Sequence, residues 1–367
     1  MVSNHRPPAS LEGWLAYIEQ LHPQAIALGL ERVVQVAAPL QLQQPAPRVV
    51  LVAGTNGKGT TCAALEQLLL AAGQRVAVYS SPHLLRYNER LRINGQQLDD
   101  EHHCQAFAAI EAARGDTALT YFEFGTLAAF WLMRQSGVEF ALIEVGLGGR
   151  LDATNIVTPE VSVITTVDLD HQQFLGNDRE AIGREKAGIL RLNGKAVIGE
   201  SQPPQSLRAA VASLNVAADW AGHAFAAIDQ GAEWRWRSSH GDSAPLPKPQ
   251  LPLANCALAL QVMQRLGLSL ANDMLARVVG QMRLDGRLQQ LGDNPLRLVD
   301  VAHNPQSARY LAGQLAVRKR QGRVLAVFGV MADKAVEAII APLLPVVDSW
   351  YLVAPDVSRA LPVASLQ

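Results

Sequence analysis

The stretch VAGTNGKGTTCAALEQLLLAAG, residues 52–73, follows a run of β-branched residues and continues as a helical pattern rich in alanine and leucine. Glycines in a turn let backbone N–H groups approach phosphate oxygens, and the N-terminus of the following helix adds a favourable dipole. The order strand, glycine turn, lysine and helix therefore predicts a phosphate-binding loop in an α/β protein. We interpret this loop as an ATP site.

The predicted nucleotide-binding loop comprises Gly54, Thr55, Asn56, Gly57, Lys58, Gly59, Thr60 and Thr61. We expect Lys58 to reach the β- and γ-phosphates, and Thr60 or Thr61 to hold magnesium. The general pattern G-x-x-x-x-G-K-[ST] is not met literally, because Val52 stands at its first glycine and Gly59 follows the lysine. A plain turn between a strand and a helix is the alternative interpretation.

Along the chain, apolar β-branched runs alternate with helical patterns. The runs are RVVLVAG, RVAVYSS, EFALIEVG, EVSVITTV and GKAVIGE. Continuous apolar strands of this kind indicate a mostly parallel sheet that is buried on both faces. The helical patterns that end at Gly73 and Gly137 have glycine at the position of a C-terminal cap. The chain is therefore predicted to have a doubly wound α/β architecture.

Two domains are predicted: a P-loop-containing ATPase domain with the mostly parallel sheet, residues 1–290, and a smaller Rossmann-like α/β domain, residues 291–367. The boundary is placed in RLDGRLQQLGDNP, residues 283–295, where glycine and proline interrupt a polar stretch. The second domain is expected to begin with the strand in LRLVDVAHNP. Residues 222–252, which contain four prolines in APLPKPQLP, are expected to form irregular or antiparallel structure.

Composition excludes several classes of protein. A formal net charge of −1 argues against a nucleic-acid-binding protein, which normally carries a basic excess. No run reaches the roughly 18 apolar residues of a membrane span, and no secretory signal pattern is visible. The cysteines Cys62, Cys104 and Cys256 are widely separated, which indicates free thiols in a reducing compartment. We expect a cytoplasmic protein with no nucleic-acid or membrane partner.

A series of motifs indicates a family. In chain order they are GTNGKGT, YSSPHLLRYNERLRING, EVGLGGRLDATN, LDHQQFLG, IGREKAGI and DVAHNP. The series closely resembles the folylpolyglutamate synthase and dihydrofolate synthase family, relatives of the Mur peptidoglycan ligases, over essentially the whole chain. The N-terminal segment and LTYFEFGTLAAFW resemble its bifunctional bacterial members. Because members of that family continue for some tens of residues past Gln367, we expect a shortened second domain.

The resemblance implies that the chain ligates L-glutamate to the carboxylate of dihydropteroate, forming dihydrofolate, and extends the polyglutamate tails of folates. The carboxylate attacks the γ-phosphate of ATP to give an acyl phosphate and ADP, and the glutamate amine then displaces phosphate. The implied cofactors are ATP, two Mg²⁺ ions and a monovalent cation such as K⁺. The protein is expected to be a monomer.

A metal site is predicted from Ser81, Glu144, His171 and Lys186. Glu144 ends a buried strand at the edge where α/β sheets bind ligands, and His171 lies just beyond another strand. On sequence alone, a structural histidine and a Ser-Pro turn explain His171 and Ser81, so the metal role of both depends on the resemblance. Lys58, His171 and Lys186 are the predicted catalytic residues.

The resemblance implies that Lys186 is carbamylated, which would make it an acidic ligand of magnesium. CO2 capture requires a neutral amine, and burial near Glu144 and His171 would supply one. An exposed helical lysine is the ordinary alternative. The helix is expected to start near Asp178.

The glycine-rich loop GLGGRLDATN, residues 146–155, is implied to form a pterin pocket together with TYFEFG. The predicted substrate-binding residues are Thr120, Phe122, Arg150, Asp152, Ala153 and Asn155. An aromatic wall and an aspartate at the amino-pyrimidine edge suit a flat, hydrogen-bonding ring, and we assign that edge to Asp152. Packing of Phe122 in a helix core is the alternative.

Four further residues are predicted near the nucleotide: Asn255, Arg287, Asp300 and His303. Asn255 opens a helix, where an N-cap is the alternative role. Arg287 is expected to reach the γ-phosphate with a bidentate guanidinium. Asp300 and His303 follow the first strand of the second domain, where the resemblance implies contacts with nucleotide and glutamate.

Two other functions remain alternatives. A Mur-type ligase acting on a UDP-sugar peptide is disfavoured, because no UDP-binding domain is recognisable before Gly54. A P-loop switch or transport ATPase would use the same loop without ligation, but it leaves GLGGRLDATN and GREKAGI unexplained.

Overall fold

The computed structural model describes residues 8–318, 322–357 and 359–366. The chain divides into two compact units, Met1–Leu284 and Asp285–Gln367. The outer limits of the two predicted domains, residues 1 and 367, lie outside the described residues. The predicted boundary at residue 290 falls within a strand, Gln289–Asp293.

Unit 1 is built on an eight-stranded sheet with the order β4-β3-β2-β5-β1-β6-β7-β8. Its strands are β1 (Arg48–Ala53), β2 (Val76–Tyr79), β3 (Leu91–Ile93), β4 (Gln96–Gln97), β5 (Phe140–Glu144), β6 (Val161–Ile164), β7 (Lys195–Ile198) and β8 (Ala217–Trp220). The run from β2 to β8 is parallel, and β3 and β4 add an antiparallel edge. The predicted mostly parallel sheet is therefore confirmed.

Helices cover this sheet. Those of unit 1 are α1 (Leu11–Glu19), α2 (Glu31–Leu40), α3 (Lys58–Ala71), α4 (Asp100–Arg114), α5 (Tyr121–Gln135), α6 (Gln172–Leu175), α7 (Arg179–Ala187), α8 (Gln205–Ser213), α9 (Leu253–Arg265) and α10 (Asn272–Gln281). Gly73 and Gly137, after α3 and α5, have φ of +76° and +59°, as the sequence predicted for caps. In the described parts of the chain no helix combines the length and apolar content that a bilayer span requires.

Alternate residues of each parallel strand enter two different cores. In β1, Val49 and Leu51 pack into the cluster that also contains α1, α4 and α5, whereas Val50 and Val52 pack against α3 and α9. Because both faces are buried, both sets of positions must be apolar. The continuous apolar runs in the sequence therefore have a direct structural cause.

An antiparallel sheet follows β8. Its strands are β9 (Phe225–Asp229), β10 (Glu233–Ser238), β11 (Gly241–Asp242) and β12 (Leu246–Pro247). β10 pairs with each of the other three strands. This agrees with the expected antiparallel structure over residues 222–252.

Unit 2 contains two strand pairs and two helices: β13 (Gln289–Asp293), β14 (Leu296–Val299), α11 (Pro305–Val317), β15 (Leu325–Phe328), α12 (Val336–Ile340) and β16 (Ser349–Leu352). β15 and β16 are parallel and pack with α11 and α12, as expected of an α/β unit. The strand predicted in LRLVDVAHNP is present as β14, and it pairs antiparallel with β13, where no strand was predicted. The polar stretch before it is thus half of a hairpin.

Candidate active site

Three of the predicted site segments leave the main sheet at one edge. β2, β5, β1 and β6 are parallel neighbours, so their carboxyl ends lie side by side. Ser81 follows β2, Glu144 ends β5, and the phosphate-binding loop follows β1. Ligands of open α/β sheets bind at this edge.

The phosphate-binding loop curls around its own lysine. Gly57, with φ of +85°, precedes α3, and Lys58 is the first residue of that helix. The Lys58 Nζ donates hydrogen bonds to the carbonyl oxygens of Gly54 and Thr55, at 2.9 and 3.2 Å. The cation therefore lies over the loop at the N-terminus of α3, where an anion is favoured.

The end of β6 fixes the loop from one side. The Asn56 N–H donates to Thr166 Oγ1 at 3.0 Å, and Thr165 Oγ1 donates to the Asn56 carbonyl at 2.6 Å. A Cβ on Gly54 would lie 1.8 Å from Thr165 Oγ1, so glycine is required there for packing. Part of the glycine pattern is therefore required by packing within the protein.

Asn255 fixes the loop from the other side. Its Nδ2 donates to the Gly57 carbonyl at 3.2 Å and to Thr61 Oγ1 at 3.0 Å. The N-cap of α9 is Pro252, so the alternative role of Asn255 as a helix cap is wrong. The residue lies within the first turn of α9 and connects that helix to the loop.

Ser81 and Glu144 meet beside the loop. The Ser81 backbone N–H donates to Glu144 Oε2 at 3.3 Å, and Glu144 is only 6% exposed. A Cβ on Gly59 would lie 3.1 Å from the same carboxylate oxygen. The buried carboxylate of Glu144 therefore lies directly beside Gly59 of the phosphate-binding loop.

His171 lies in a left-handed conformation, with φ of 50°, directly before the short helix α6. Its side chain is 40% exposed, and its Nε2 is 3.9 Å from Asp170 Oδ1. Within the residues that the structure describes, no three His, Cys, Asp or Glu side chains form a metal site by themselves. The predicted metal set therefore depends on Ser81 and Lys186 as well.

Lys186 is buried, not solvated. It lies in α7, whose N-cap is Asp178 as expected, and it is only 2% exposed. Burial is the largest cause, and together with the charge of Lys58 it lowers the pKa of Lys186 to about 7, while Asp170 opposes the shift. A substantial fraction of neutral amine is therefore present at neutral pH.

A cavity of about 320 Å³ lies next to these groups. Four predicted substrate-binding residues line it: Thr120, Phe122, Asp152 and Ala153. Ser81 and His171 line it as well, so two of the four predicted metal residues share one cavity with predicted pterin residues. The Phe122 ring packs on Gly146, where a Cβ would lie 2.5 Å from Phe122 Cζ.

Asp152 organises its own loop. Its carboxylate accepts hydrogen bonds from the backbone N–H groups of Leu147 and Thr154, at 2.8 and 3.0 Å, and from Thr154 Oγ1 at 2.5 Å. Burial raises the pKa of Asp152, and these hydrogen bonds act in the opposite direction. The residue is thus fixed firmly at the cavity wall.

Arg150 and Asn155, which were predicted to bind substrate, are not among the described residues that line the cavity. The Arg150 side chain is 55% exposed and pairs with Glu185 of α7 at 2.9 Å. Asn155 donates to the carbonyls of Arg150 and Gly188 and accepts from Arg191 at 2.8 Å. Their polar groups therefore hold the glycine-rich loop against the end of α7.

The remaining predicted residues belong to unit 2. Arg287 precedes β13 and donates to the Gly286 carbonyl at 3.2 Å. Asp300 accepts from the N–H groups of Leu288 and Ala302, and His303 Nδ1 lies 2.9 Å from the Val301 carbonyl. These contacts arrange the two ends of the β13–β14 hairpin.

Several residues of the cavity wall were not assigned individually from the sequence. They are the segment 25–29 before α2, Pro82, Arg90, Tyr121, Glu123, Gly146, Leu147 and Leu151. Most of them lie inside motifs that were recognised, namely YSSPHLLRYNERLRING, TYFEFG and GLGGRLDATN. The segment 25–29 has no helical or alternating pattern, so nothing in it predicted a place in the cavity wall.

The chain is similar to known proteins over most of its length. Residues 52–218 match the Mur ligase middle domain, and residues 286–367 match the Mur ligase glutamate ligase domain. The chain is 46% identical over 353 residues to the dihydrofolate synthase/folylpolyglutamate synthase of Escherichia coli, covering 96% of this chain and 84% of that protein. It is 43% identical over 369 residues to the Haemophilus influenzae protein of the same name, covering 94% and 82%.

Solved structures give the same result. Escherichia coli FolC in complex with DHPP and ADP superposes with a TM-score of 0.96 at 44% identity, covering 99% of this chain and 87% of that chain. The bifunctional folylpolyglutamate synthase/dihydrofolate synthase of Yersinia pestis, complexed with AMPPNP and Mn, superposes with a TM-score of 0.94 at 48% identity, covering 99% and 88%. The chain belongs to the dihydrofolate synthase/folylpolyglutamate synthase family.

Proposed function

We propose that this chain is an ATP-dependent amide ligase that adds L-glutamate to dihydropteroate, forming dihydrofolate, and to the glutamate tails of folates. The substrate carboxylate attacks the γ-phosphate to give an acyl phosphate and ADP. The glutamate amine then attacks the acyl carbon, and phosphate leaves. The reaction requires that a carboxylate and a triphosphate be held together away from water.

One observation carries this proposal. Ser81 and His171, from the phosphate side of the sheet edge, line the same cavity as Phe122 and Asp152. An aromatic wall with a fixed carboxylate suits a flat heterocycle, and the adjoining phosphate-binding loop suits ATP. Solved relatives bind ADP, DHPP, AMPPNP, Mn and L-glutamate, which supports a nucleotide, a divalent metal and small acids as ligands.

The residues at the sheet edge fit magnesium. Carboxylate and hydroxyl oxygens are ligands that Mg²⁺ prefers, and the buried Glu144 carboxylate faces the loop beside Ser81. Magnesium held by Ser81, Glu144 and His171 would neutralise charge on the phosphate oxygens. Two such ions and a monovalent cation such as K⁺ belong to this proposal.

Lys186 is proposed to be carbamylated. Its neutral amine attacks CO2, a C–N bond forms, and one proton is released. The product is an anion, so a buried ammonium next to Lys58 becomes a buried carboxylate-like group that attracts cations. Burial and the low pKa of Lys186 support this step.

The nucleotide is proposed to contact the loop from Gly54 to Thr61, with Lys58 on the β- and γ-phosphates. Asn255 then acts by positioning the loop. Arg287, Asp300 and His303 of unit 2 are proposed to serve the nucleotide and glutamate. The protein is proposed to act as a monomer in the cytoplasm.

The test is the substrate dependence of ADP release by the purified chain. We expect rapid release only when ATP, glutamate and either dihydropteroate or tetrahydrofolate are present together. Release without either acid substrate would indicate a P-loop ATPase, and release that requires a UDP-sugar peptide would indicate a Mur-type ligase. A Lys58→Ala variant provides the background rate.

A further inference from the structure

Arg90 is a cation in the cavity wall to which neither the predicted nor the proposed site gives a partner. It ends the 3-10 helix Tyr87–Arg90 and lines the cavity together with Phe122 and Asp152. An arginine in such a position loses part of its hydration, so an oxyanion is its natural complement.

The guanidinium is held in a defined orientation. Arg90 Nε donates to His83 Nδ1 at 2.9 Å. Its Cζ lies 5.5 Å from the centre of the Tyr87 ring and 5.4 Å from that of Tyr121. Because a guanidinium N–H can only donate, His83 Nδ1 is the acceptor of this hydrogen bond and orients the guanidinium.

The protein itself does not neutralise this cation. Among the residues with described side chains, no carboxylate forms an ion pair with Arg90, and the only hydrogen bond of its guanidinium runs to His83. The carboxylates in the cavity wall are engaged elsewhere, Glu123 with Arg32 at 2.8 Å and Asp152 with its own loop. The neighbouring Arg92, by contrast, is paired with Glu66 at 2.7 Å. The terminal N–H groups of Arg90 therefore remain available to a ligand.

We propose that Arg90 binds the carboxylate of the pterin-bearing substrate, and that His83 is the residue that positions it. This inference rests on the proposed function, which supplies an acid to the cavity. A phosphate oxygen of the nucleotide would offer similar chemistry. The phosphate-binding loop already provides Lys58 and a helix N-terminus for that group, so the substrate acid is the better match.

The test compares the affinities of pteroate and its neutral carboxamide for the full chain without ATP, by titration calorimetry. We expect the wild-type protein to prefer the carboxylate by at least about 10-fold. Arg90→Met should abolish that preference and leave carboxamide affinity unchanged, and Arg90→Lys should retain part of it. His83→Ala should weaken the preference, and His83→Asn, which keeps an acceptor, should restore some of it.

Arg86→Met is the matched control, since Arg86 is exposed and contacts Asp100. Its preference should equal that of the wild-type protein. An unchanged preference for the carboxylate in Arg90→Met would overturn the inference. An equal loss of affinity for both ligands would also overturn it, because it would indicate a packing role. Weaker ADP binding with an intact preference would assign Arg90 to the nucleotide. A wild-type chain that binds neither pterin would contradict the proposed function as well.

Discussion

Lys58 shows how much of the phosphate site depends on a single side chain. It is the one lysine of the loop, and it lies over the carbonyls of Gly54 and Thr55 at the start of α3. We predict that Lys58→Ala lowers the rate of ADP formation at least about 100-fold while the fold persists, because a preorganised cation is lost from the phosphates. Substrate-dependent ADP release and circular dichroism measure the two effects.

Lys195→Ala is the control for this prediction, since Lys195 is an exposed lysine at the start of β7. It should retain wild-type activity. A Lys58→Ala enzyme with near wild-type rates would refute the assignment of the loop.

Lys186 yields a prediction about chemical rescue. If its carbamate supplies an anion to the metal site, Lys186→Ala should lose most activity, and a small carboxylate such as acetate should partly restore it. The space left by the buried side chain provides room for the acid. Rates with and without acetate, measured also for Lys195→Ala, test this. An unimpaired Lys186→Ala enzyme would show that the amine has no catalytic part.

Lys186 also predicts a pH dependence of stability. Its pKa is lowered from 10.5 to about 7, so between these values the unfolded chain binds more protons than the folded chain. Stability must therefore rise with pH across this window, by up to about 1.4 kcal/mol per pH unit from this group. Lys186→Met removes the contribution. Urea titrations at about pH 7 and about pH 9, in CO2-free buffer without metal, measure this. Between the two pH values, the free energy of unfolding should rise more for the wild-type protein than for Lys186→Met. An equal rise in both proteins would contradict the burial of a free amine.

At the scale of single residues, the sequence predicted which residues belong to the site region, but not the direction in which each side chain points. Thr120, Phe122 and Asp152 follow recognisable motifs and reach the cavity. Asn155 lies in the same loop, yet its amide turns to Gly188 and Arg191. That choice depends on where α7 ends, more than thirty residues further on, and no local pattern contains that information.

At the scale of elements, α7 and the glycine-rich loop matter most for the proposed chemistry, and Arg191 links them. Its guanidinium donates to carbonyls at the end of α7, including that of Ile189 at 3.0 Å. It also donates to Asn155 Oδ1 and to the Val157 carbonyl, both at 2.8 Å. Arg191 therefore couples the helix that carries Lys186 to the loop that carries Asp152.

We predict that Arg191→Met raises the Mg²⁺ concentration needed for half-maximal activity and the KM for the pterin acid, each by about 10-fold, because both elements lose shared hydrogen bonds. Arg208→Met serves as the control, since Arg208 is exposed on α8 and its guanidinium lies 5.5 Å from the centre of the Trp220 ring. If the Mg²⁺ requirement and the KM for the pterin acid were unchanged in Arg191→Met, the hydrogen bonds of Arg191 would not be needed for the site.

The elements of unit 1 were predictable because their signals are local. Apolar runs marked the parallel strands, and Gly73 and Gly137 marked helix ends. β13 was not predictable in this way. Its residues, QQLGD, are mostly polar and largely exposed, so neither hydrophobic period nor burial distinguishes them from a linker. Only pairing with β14 gives them extended structure.

For the whole molecule, the order of motifs was more informative than any one of them. A glycine loop before a helix is compatible with switches, transporters and ligases alike. In the later segments, Glu144 approaches Gly59 of that loop, Lys186 is buried within reach of the charge of Lys58, and His171 lines a cavity together with Phe122 and Asp152. The function follows from this combination, which is why the family could be inferred from sequence although the glycine loop departs from the general pattern.

The last prediction concerns the two acid substrates. The proposed function requires that both dihydropteroate and tetrahydrofolate receive glutamate, and the cavity offers one aromatic wall to the pterin ring that both carry. Phe122→Ala should therefore raise the KM for each acid by about 10-fold, since stacking on an aromatic ring contributes roughly 1 kcal/mol or more, while the KM for ATP stays unchanged. Steady-state assays with radiolabelled glutamate and each acid in turn measure this.

Phe174→Ala, at a partly exposed phenylalanine of α6, is the matched control. Glutamate incorporation with tetrahydrofolate but none with dihydropteroate, under saturating ATP, would reduce the activity to that of a folylpolyglutamate synthase; an effect of Phe122→Ala on one acid alone would place the two acids in different sites.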